Sequence, residues 1–402
     1  VHQPPRALVS EGRFSDDPGL PLSLNKSPFG GIGAMATPTD LRSTPLTDCH
    51  RAAGARLVDF AGYAMPVQYE GILDEVSRVR TQAGLFDLCH MGRARFVGEH
   101  REEAAQFLVH INVEKMKLGA IRYSFFARED GTTMDDVLIY KDADEIFFCI
   151  NAGNRARDLE WMQTVADRFG CTLEDQSEEL AMIAIQGPRS VDTVTPLCSG
   201  SPGELKYYGF YRGTVCDVPA MISRTGYTGE DGYELYFPAA EAPRIWDALL
   251  ESGKAHGVTP IGLAARDTLR LEAGMALYGH ELDDTTNPVE AGIVFKPIKH
   301  TKDFSGRAAI DKMIAEGPER VLVGFTTDSK RVPRQGYDLV SVDHTPVGRV
   351  CSGSPSPTMG TNIGTAYVTV PHDSPTTELA MEIRGVRHPI KLHALPFYKR
   401  ER

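Results

Sequence analysis

From residue 44 onward the apolar positions fall into short runs that switch between two periods. In 71–84, Ile72, Val76 and Val79 recur at helical spacing, and 101–110 reads the same way. The stretch 154–169 predicts a longer helix with Leu159, Met162 and Val165 on its buried side. RYSFFARE, DDVLIYK and EIFFCIN read as three strands, joined by an Asp-Gly turn at 130–131 and an Asp-rich turn after Lys141. ARFVG and ELAMIAIQG add two more strands. VPAMISRT and GYELYF flank a tight turn built from Gly229, Glu230, Asp231 and Gly232, which predicts a hairpin. Residues 239–257 predict a helix ended by Gly257. Thr259 and Pro260 then predict the start of another, with Thr as N-cap and Pro in the first turn, running through 261–275.

Past about residue 319 helical periodicity stops. RVLVGFTT, GYDLVSV, TPVGRVCSG, NIGTAYVTV, LAMEIRG and HPIKLHAL are short strands separated by turn residues, which predicts a compact all-β barrel. At the other end, residues 1–43 are rich in Pro, Gly and Ser without sustained periodicity and predict a disordered extension. They lack the apolar core of a secretory signal, and Glu11, Asp16 and Asp17 balance their basic residues, unlike a mitochondrial presequence. The chain begins with Val and carries Met35, so the expectation is a translation start at Met35. An intact mass that includes Val1 to Ala34 would rule that out.

The 402 residues are enough for two or three domains. A net charge of −11 argues against a general nucleic-acid binder and against docking on anionic lipid. Seven cysteines, an odd count with no CxxC pair, point away from a disulfide framework or structural zinc and toward a reducing, cytoplasmic compartment. No apolar run approaches the ~18 residues that span a bilayer.

The chain shows no Walker loop, no HExxH, no GxSxG and no GxGxxG between strand and helix, and its twelve histidines lack metal-ligand spacing. His90 in CHMG reads as a turn or core histidine. Five features carry possible chemistry. Asp135 and Asp136 head a strand whose alternation sends one carboxylate to each face; Asp136 shares its parity with Leu138 and Tyr140. Glu234 follows the turn of RTGYTGEDGYE. Arg266 and Arg270 stand one helical turn apart, a repulsive spacing unless acids or an anionic ligand meet them. Asn151 ends one strand and opens a helix, where an N-cap role suffices. LYGHELDDTTNPVEAGI is a long polar segment of the kind that is functional or mobile.

In this order, the features resemble the T-protein (aminomethyltransferase) family of the glycine cleavage system. The similar motifs are TPLTDCHRAAGARLVDFAGYAMPVQYEG, AGLFDLCHMG, DDVLIY, INAGN, AIQGP, SRTGYTGEDGYE, GLAARDTLRLEAGMALYGHEL, NPVEAGI, SGSPSP and NIGTAYV, in register over residues 44–398. The resemblance implies an α+β fold of three domains in a cloverleaf around a central opening. Residues 44–318 would form the folate-binding region, as two interleaved α+β domains, and 319–402 the C-terminal β-barrel. It implies transfer of a one-carbon unit from an aminomethyl group on the lipoyl arm of the H-protein to tetrahydrofolate. Ammonia and 5,10-methylenetetrahydrofolate leave, with the P- and L-proteins as functional partners and no metal. By matching position, Asp136 is the folate-contacting acid, Glu234 a pterin-binding glutamate and Arg266 a folate-site arginine. Asn151 and Tyr227 belong to the folate site, and Met91 is a pocket-wall methionine. Two departures are local: Thr132-Thr133 follows Gly131 where the family often has a second Gly, and Cys89 stands where Ser is common.

The chemistry asks for positioning and dryness more than for a cofactor. Asp136 would orient folate and stabilise transient positive charge, and Glu234 would match the paired N–H groups of an aminopyrimidine. Two fold relatives stay open as alternatives: a demethylase for another one-carbon donor, and an iron–sulfur assembly factor, whose KGCYxGQE-like segment is replaced here by LYGHELDDTTNPVEAGI.

Overall fold

The structure, a computed structural model, describes residues 41–294 and 297–401. The extension expected over 1–43 and the Met35 start lie outside the described residues, except for 41–43. There Arg42 is tied down: its N–H donates to Gly62 O at 2.9 Å, and its guanidinium lies over the Tyr63 ring.

Apolar alternation builds two sheets and a barrel. The six-stranded sheet has the order Phe210–Val215, Val218–Ser223, Gly232–Pro238, Leu180–Gln186, Gly84–Asp87, Thr259–Pro260. The five-stranded sheet has the order Ala120–Ala127, Thr133–Lys141, Glu145–Ile150, Gly92–Val97, Thr172–Asp175. The second is inserted into the first, because all its strands lie in the chain between Gly84–Asp87 and Leu180–Gln186. Each sheet has one face on its own helices. Ile183, Ile185, Leu235 and Phe237 pack with Ile245, Trp246 and Leu249 of the Ala242–Gly253 helix. Val137, Ile139, Phe148 and Ile150 pack with Leu108, Met162 and Val165. The opposite faces meet in a shared layer: Met182, Ala184, Met221 and Tyr236 from one sheet, Tyr140, Phe147 and Cys149 from the other. The third unit is the expected barrel, closed in the order Arg320–Thr327, Thr361–Thr369, Pro346–Ser356, Asp338–Val340, Leu379–Ile383, Val386–His393.

Three local expectations are corrected. Thr259 and Pro260 do not begin a helix; they lie parallel to Gly84 and Leu85 at the sheet edge, where Pro needs no ladder donor. The helix starts at Leu263, after Gly262. A Cβ on Gly262 would meet Val67 O at 2.4 Å, and its N–H caps onto Glu75 Oε2 at 2.7 Å. The helix expected to reach 84 stops at Thr81, because Gly84 must enter the sheet. The tight turn at 229–232 is in fact a loop over 224–231, closed at its base by the Arg224–Asp231 ion pair. The strand Phe210–Val215 and the helix Arg307–Glu316 carry no pattern strong enough to predict them.

The helix Leu263–Glu272 joins all three units. Leu269 and Ala265 lie in the inter-sheet layer, and Leu271 packs on Ile363 and Phe397 of the barrel side. Two of its charges, Arg270 and Glu272, are fully buried. Glu272 accepts from Arg80 Nη2 at 2.7 Å, from Thr358 at 2.9 Å and from Ser356. Arg80 also donates to Glu230 at 3.0 Å and to Thr228 O at 2.7 Å, and stacks on Tyr398. Arg270 pairs with Asp267 at 2.8 Å and Glu281 at 2.7 Å and reaches Ser352 of the barrel at 2.7 Å.

Truncating one member of such a node leaves the other charges buried and unpaired. Arg80→Ala is expected to destabilise the protein by about 3–5 kcal/mol, read as a fall in the urea midpoint. A fall no larger than that of an exposed control such as Arg51→Ala would show that the node does not hold the units together.

Candidate functional site

Strand alternation decides which side chains enter the inter-sheet layer. On Thr133–Lys141 the positions of Leu138 and Tyr140 face it, and Asp136 shares their parity, while Asp135 points the other way. Asp136 Oδ2 accepts from Tyr123 OH at 3.0 Å, and Oδ1 accepts from Asn151 Nδ2 at 2.9 Å. Asn151 is therefore not a helix cap. Asn154 occupies that position, and the Asn151 amide bridges Asp135 and Asp136 instead. Burial, together with the charge of Asp135, pushes the Asp136 carboxyl up to about 7.

On Gly232–Pro238, Glu234 shares the parity of Tyr236 and faces the same layer. It is 3% exposed and accepts a hydrogen bond from Thr225, whose hydroxyl also meets Ser223. Burial raises its pKa, and the nearby Arg266 charge opposes that rise. The 224–231 loop is shaped for this purpose. A Cβ on Gly226 would sit 1.8 Å from Gln186 Oε1, and Gln186 in turn accepts from Thr228 at 2.9 Å and donates to Thr225 O at 3.0 Å. The loop presents Tyr227, whose OH donates to Ala276 O and whose ring lies 4.8 Å from the Arg266 guanidinium carbon.

Arg266 and Arg270 resolve differently. Arg270 is a structural cation, fully paired. Among the described residues, Arg266 has no carboxylate within pairing distance, and its buried Nη1 has no hydrogen-bond partner. Burial lowers its pKa, and Tyr227 and Glu234 oppose that. An arginine with a buried donor left open is a place for an electronegative ligand group.

The CHMG turn forms another wall. Met91 packs against the inter-sheet layer beside Leu138, Leu180 and Tyr208. His90 is buried edge-on to Phe60, its Nδ1 has no partner, and burial pulls its pKa down to about 3, so it is a neutral ring. That agrees with the core-histidine reading. Two buried devices hold the turn. Arg93 donates to the carbonyls of Cys89 and Met91. Asp87 accepts from Cys89 N at 2.8 Å, from Thr44 at 2.7 Å and from His50 Nε2 at 2.9 Å, and Tyr69 OH lies 2.8 Å from His50 Nδ1.

Asp136, Asn151, Glu234, Arg266, Tyr227 and Met91 thus all border one layer. The sequence reading missed Tyr123, Thr225 and the His50–Asp87 support. Tyr123 was within reach: the Asp-Gly turn sets Phe125 opposite Asp136, and Tyr123 is the next residue on the same face. Among the described residues no group of three or more His, Cys, Asp or Glu side chains could hold a metal, and no helix is long and apolar enough to cross a membrane.

Residues 46–298 match the family model of the GCVT N-terminal domain, and 320–399 that of the glycine cleavage T-protein C-terminal barrel domain. The chain is 43% identical to an aminomethyltransferase of Saccharopolyspora erythraea, covering 89% of this chain and 98% of that one. It is also 43% identical to one of Streptomyces coelicolor, over 90% and 99%. The crystal structure of glycine cleavage system aminomethyltransferase T from Bartonella henselae superposes with a TM-score of 0.83 at 31% identity, over 89% of this chain and 98% of that one.

The support under the CHMG turn has a pH signature. The His50 contact and the N–H and O–H donors hold Asp87 down from 3.8 to about 2 against its burial. Its contribution to stability is therefore complete above pH ~4 and is lost as the pH falls through about 2. Asp87→Asn is expected to cost about 1.5–3 kcal/mol at pH 7, with the gap to wild type narrowing below pH ~4. Denaturant titrations at several pH values test this; a gap independent of pH would remove the ionised Asp87 from the account.

Proposed function

The chain belongs to the glycine cleavage T-protein family, the aminomethyltransferases, and on that premise we propose how its own residues carry the reaction. The enzyme transfers the methylene carbon of an aminomethyl group, held on the dihydrolipoyl arm of the H-protein, to tetrahydrofolate. Ammonia and 5,10-methylenetetrahydrofolate are the products. Relatives named aminomethyltransferase along 89–90% of the chain favour this over the demethylase and iron–sulfur alternatives.

Tetrahydrofolate supplies N5 as nucleophile and N10 to close the ring. The edge of the layer between the sheets offers what such a ligand needs: the partly buried apolar side chains of Met91 and Leu138, two carboxylates, and an arginine with an open buried donor. Glu234 would accept from the N–H edge of the pterin, oriented by Thr225. Arg266, flattened on Tyr227, would donate to an electronegative group of the folate. Asn151 and Tyr123 fix the Asp136 carboxylate, so its negative charge stands ready where positive charge develops as the donor C–S bond breaks. A carboxyl near 7 can also exchange a proton at neutral pH.

The observation that carries this reading is the pair Asp136 and Arg266 bordering one layer, the carboxylate held by Tyr123 and Asn151 and the arginine with a buried donor that no described group accepts from. The H-protein, with the P- and L-proteins, supplies the carrier cycle. The free cysteines support a reducing cytoplasm. We divide the chain from residue 44 into 44–318, as two interleaved α+β domains, and the barrel of 319–402; the two family matches support that boundary.

With aminomethyl-loaded, lipoylated H-protein, folate-dependent release of ammonia should rise with pH through about 7 in kcat/KM. Asp136→Asn should lower kcat about 10²-fold or more. Near wild-type turnover in this variant would remove Asp136 from the mechanism. Glu234→Gln is expected to raise the Kd for tetrahydrofolate about tenfold, measured by calorimetry; an unchanged Kd would reject the pterin contact.

A further inference from the structure

Behind Asp136 lies a carboxyl group that the proposed mechanism does not use. Asp158 sits in the first turn of the helix Arg155–Phe169 and is fully buried, and neither of its oxygens receives a hydrogen bond from any donor. Its nearest cation is Arg157, whose Nε stands 3.9 Å away. The other nitrogens of that guanidinium serve Met134 O, Asp284 and Tyr278. The immediate neighbour of Asp158 is a second buried acid, Asp135.

Asp135 is solvated by neutral donors. Asn151 N donates to it at 3.1 Å, Asn151 Nδ2 at 2.9 Å and Asn154 Nδ2 at 2.6 Å. A carboxylate offers about four lone-pair sites, so one remains. Two buried carboxyls side by side with no cation between them do not both ionise. The proton belongs to the member without donors, which is Asp158, and the charge to the member with three, which is Asp135. The attraction of a helix N-terminus for an anion is smaller than the cost of burying a carboxylate with no donor.

We infer that Asp158 is a neutral acid whose O–H fills the last acceptor site of Asp135, fixing the negative charge of the pair on Asp135, where it repels a charge on Asp136. It is a positioning residue, and this step rests on the role proposed for Asp136. Asp158 faces Asp135, Asp136 and Arg157, with Asp284 and Tyr278 behind Arg157, and Asp136 faces Tyr123 on the neighbouring strand and Tyr227 from the 224–231 loop. The Asn151 amide is the shared contact, donating to Oδ1 of both Asp135 and Asp136. Without the Asp158 hydroxyl, the charge on Asp135 loses one of its four donors, and the repulsion felt by Asp136 falls.

Two variants and two readouts test this. Asp158→Asn replaces O–H by an amide N–H of the same shape; Asp158→Val removes the donor. In the infrared spectrum of the full chain at pH 9, where Asp136 is ionised, wild type should show a buried protonated-carboxyl band that Asp158→Asn lacks. In folate-dependent turnover with loaded H-protein, Asp158→Asn should keep the acid limb of kcat/KM where wild type has it. Asp158→Val should move that limb down by about half a unit or more, roughly a threefold change in proton affinity. Equal downward shifts in both variants would mean that position 158 carries a charge, and would overturn the proposal. No shift in Asp158→Val, or a band that survives Asp158→Asn, would overturn it too. The band does not depend on Asp136: if wild type shows no acid limb, the Asp136 role fails while the spectrum still decides Asp158.

Discussion

Burying charge is costly unless every partner is in place, and this molecule buries it along one helix. Leu263–Glu272 carries Arg266, Asp267, Arg270 and Glu272 within two turns. Arg270 and Glu272 look outward to groups from distant parts of the chain: Arg80, Glu281, Ser352, Ser356 and Thr358. The helix can sit in only one way that satisfies all of them. The rest of the site depends on that, because the same helix fixes where Arg266 stands. The large ion-pair nodes are thus less a source of net stability than a means of making one arrangement of three units the only affordable one.

Against this satisfied background the open groups stand out. Among the described residues, Arg266 has a buried donor without an acceptor, His90 a ring nitrogen without a partner, and Asp136 a carboxyl held near 7 by burial and by the charge of Asp135. A carboxyl whose native pKa lies above its unfolded value costs stability as the pH rises through the interval between them. The fold therefore tolerates an unfavourable charge at Asp136 in return for chemistry. The same trade is visible in the neutral His90, kept uncharged beside two arginines.

Much of this was legible in the chain because period-2 alternation is rigid. It assigned Asp135 and Asp136 to opposite faces and foresaw the barrel strands. What it could not settle was which of two equivalent residues a tertiary contact would claim. Asn151 and Asn154 are both suited to cap a helix; Asn154 takes the position without a capping side-chain bond, and both amides go to Asp135, with Asn151 also reaching Asp136. Arg266 and Arg270 look alike until Glu281, eleven residues further on, claims one of them. Thr259-Pro260 has the composition of a helix start, but an unfilled sheet edge at Gly84 and Leu85 takes it as a strand. Asp158 is invisible in sequence, since an acid in a first helical turn is ordinarily a solvated one.

The insertion of one sheet into the other bears on how the protein comes to be folded. In the inserted sheet, partners such as Phe125 and Asp136 are 11 residues apart, so loop closure is cheap and its hairpins form from local contacts. In the host sheet, Gly84 must find Gln186 across 102 positions. Once the insert has collapsed, that long loop behaves as a short one, with its two ends already near each other. Asp135, Asp136 and Asp158 all belong to the insert, whereas Glu234 comes from the host sheet and Arg266 from the helix that follows it. The two halves of the candidate site therefore come together only where Gly84–Asp87 pairs with Leu180–Gln186 and the two sheets lie face to face.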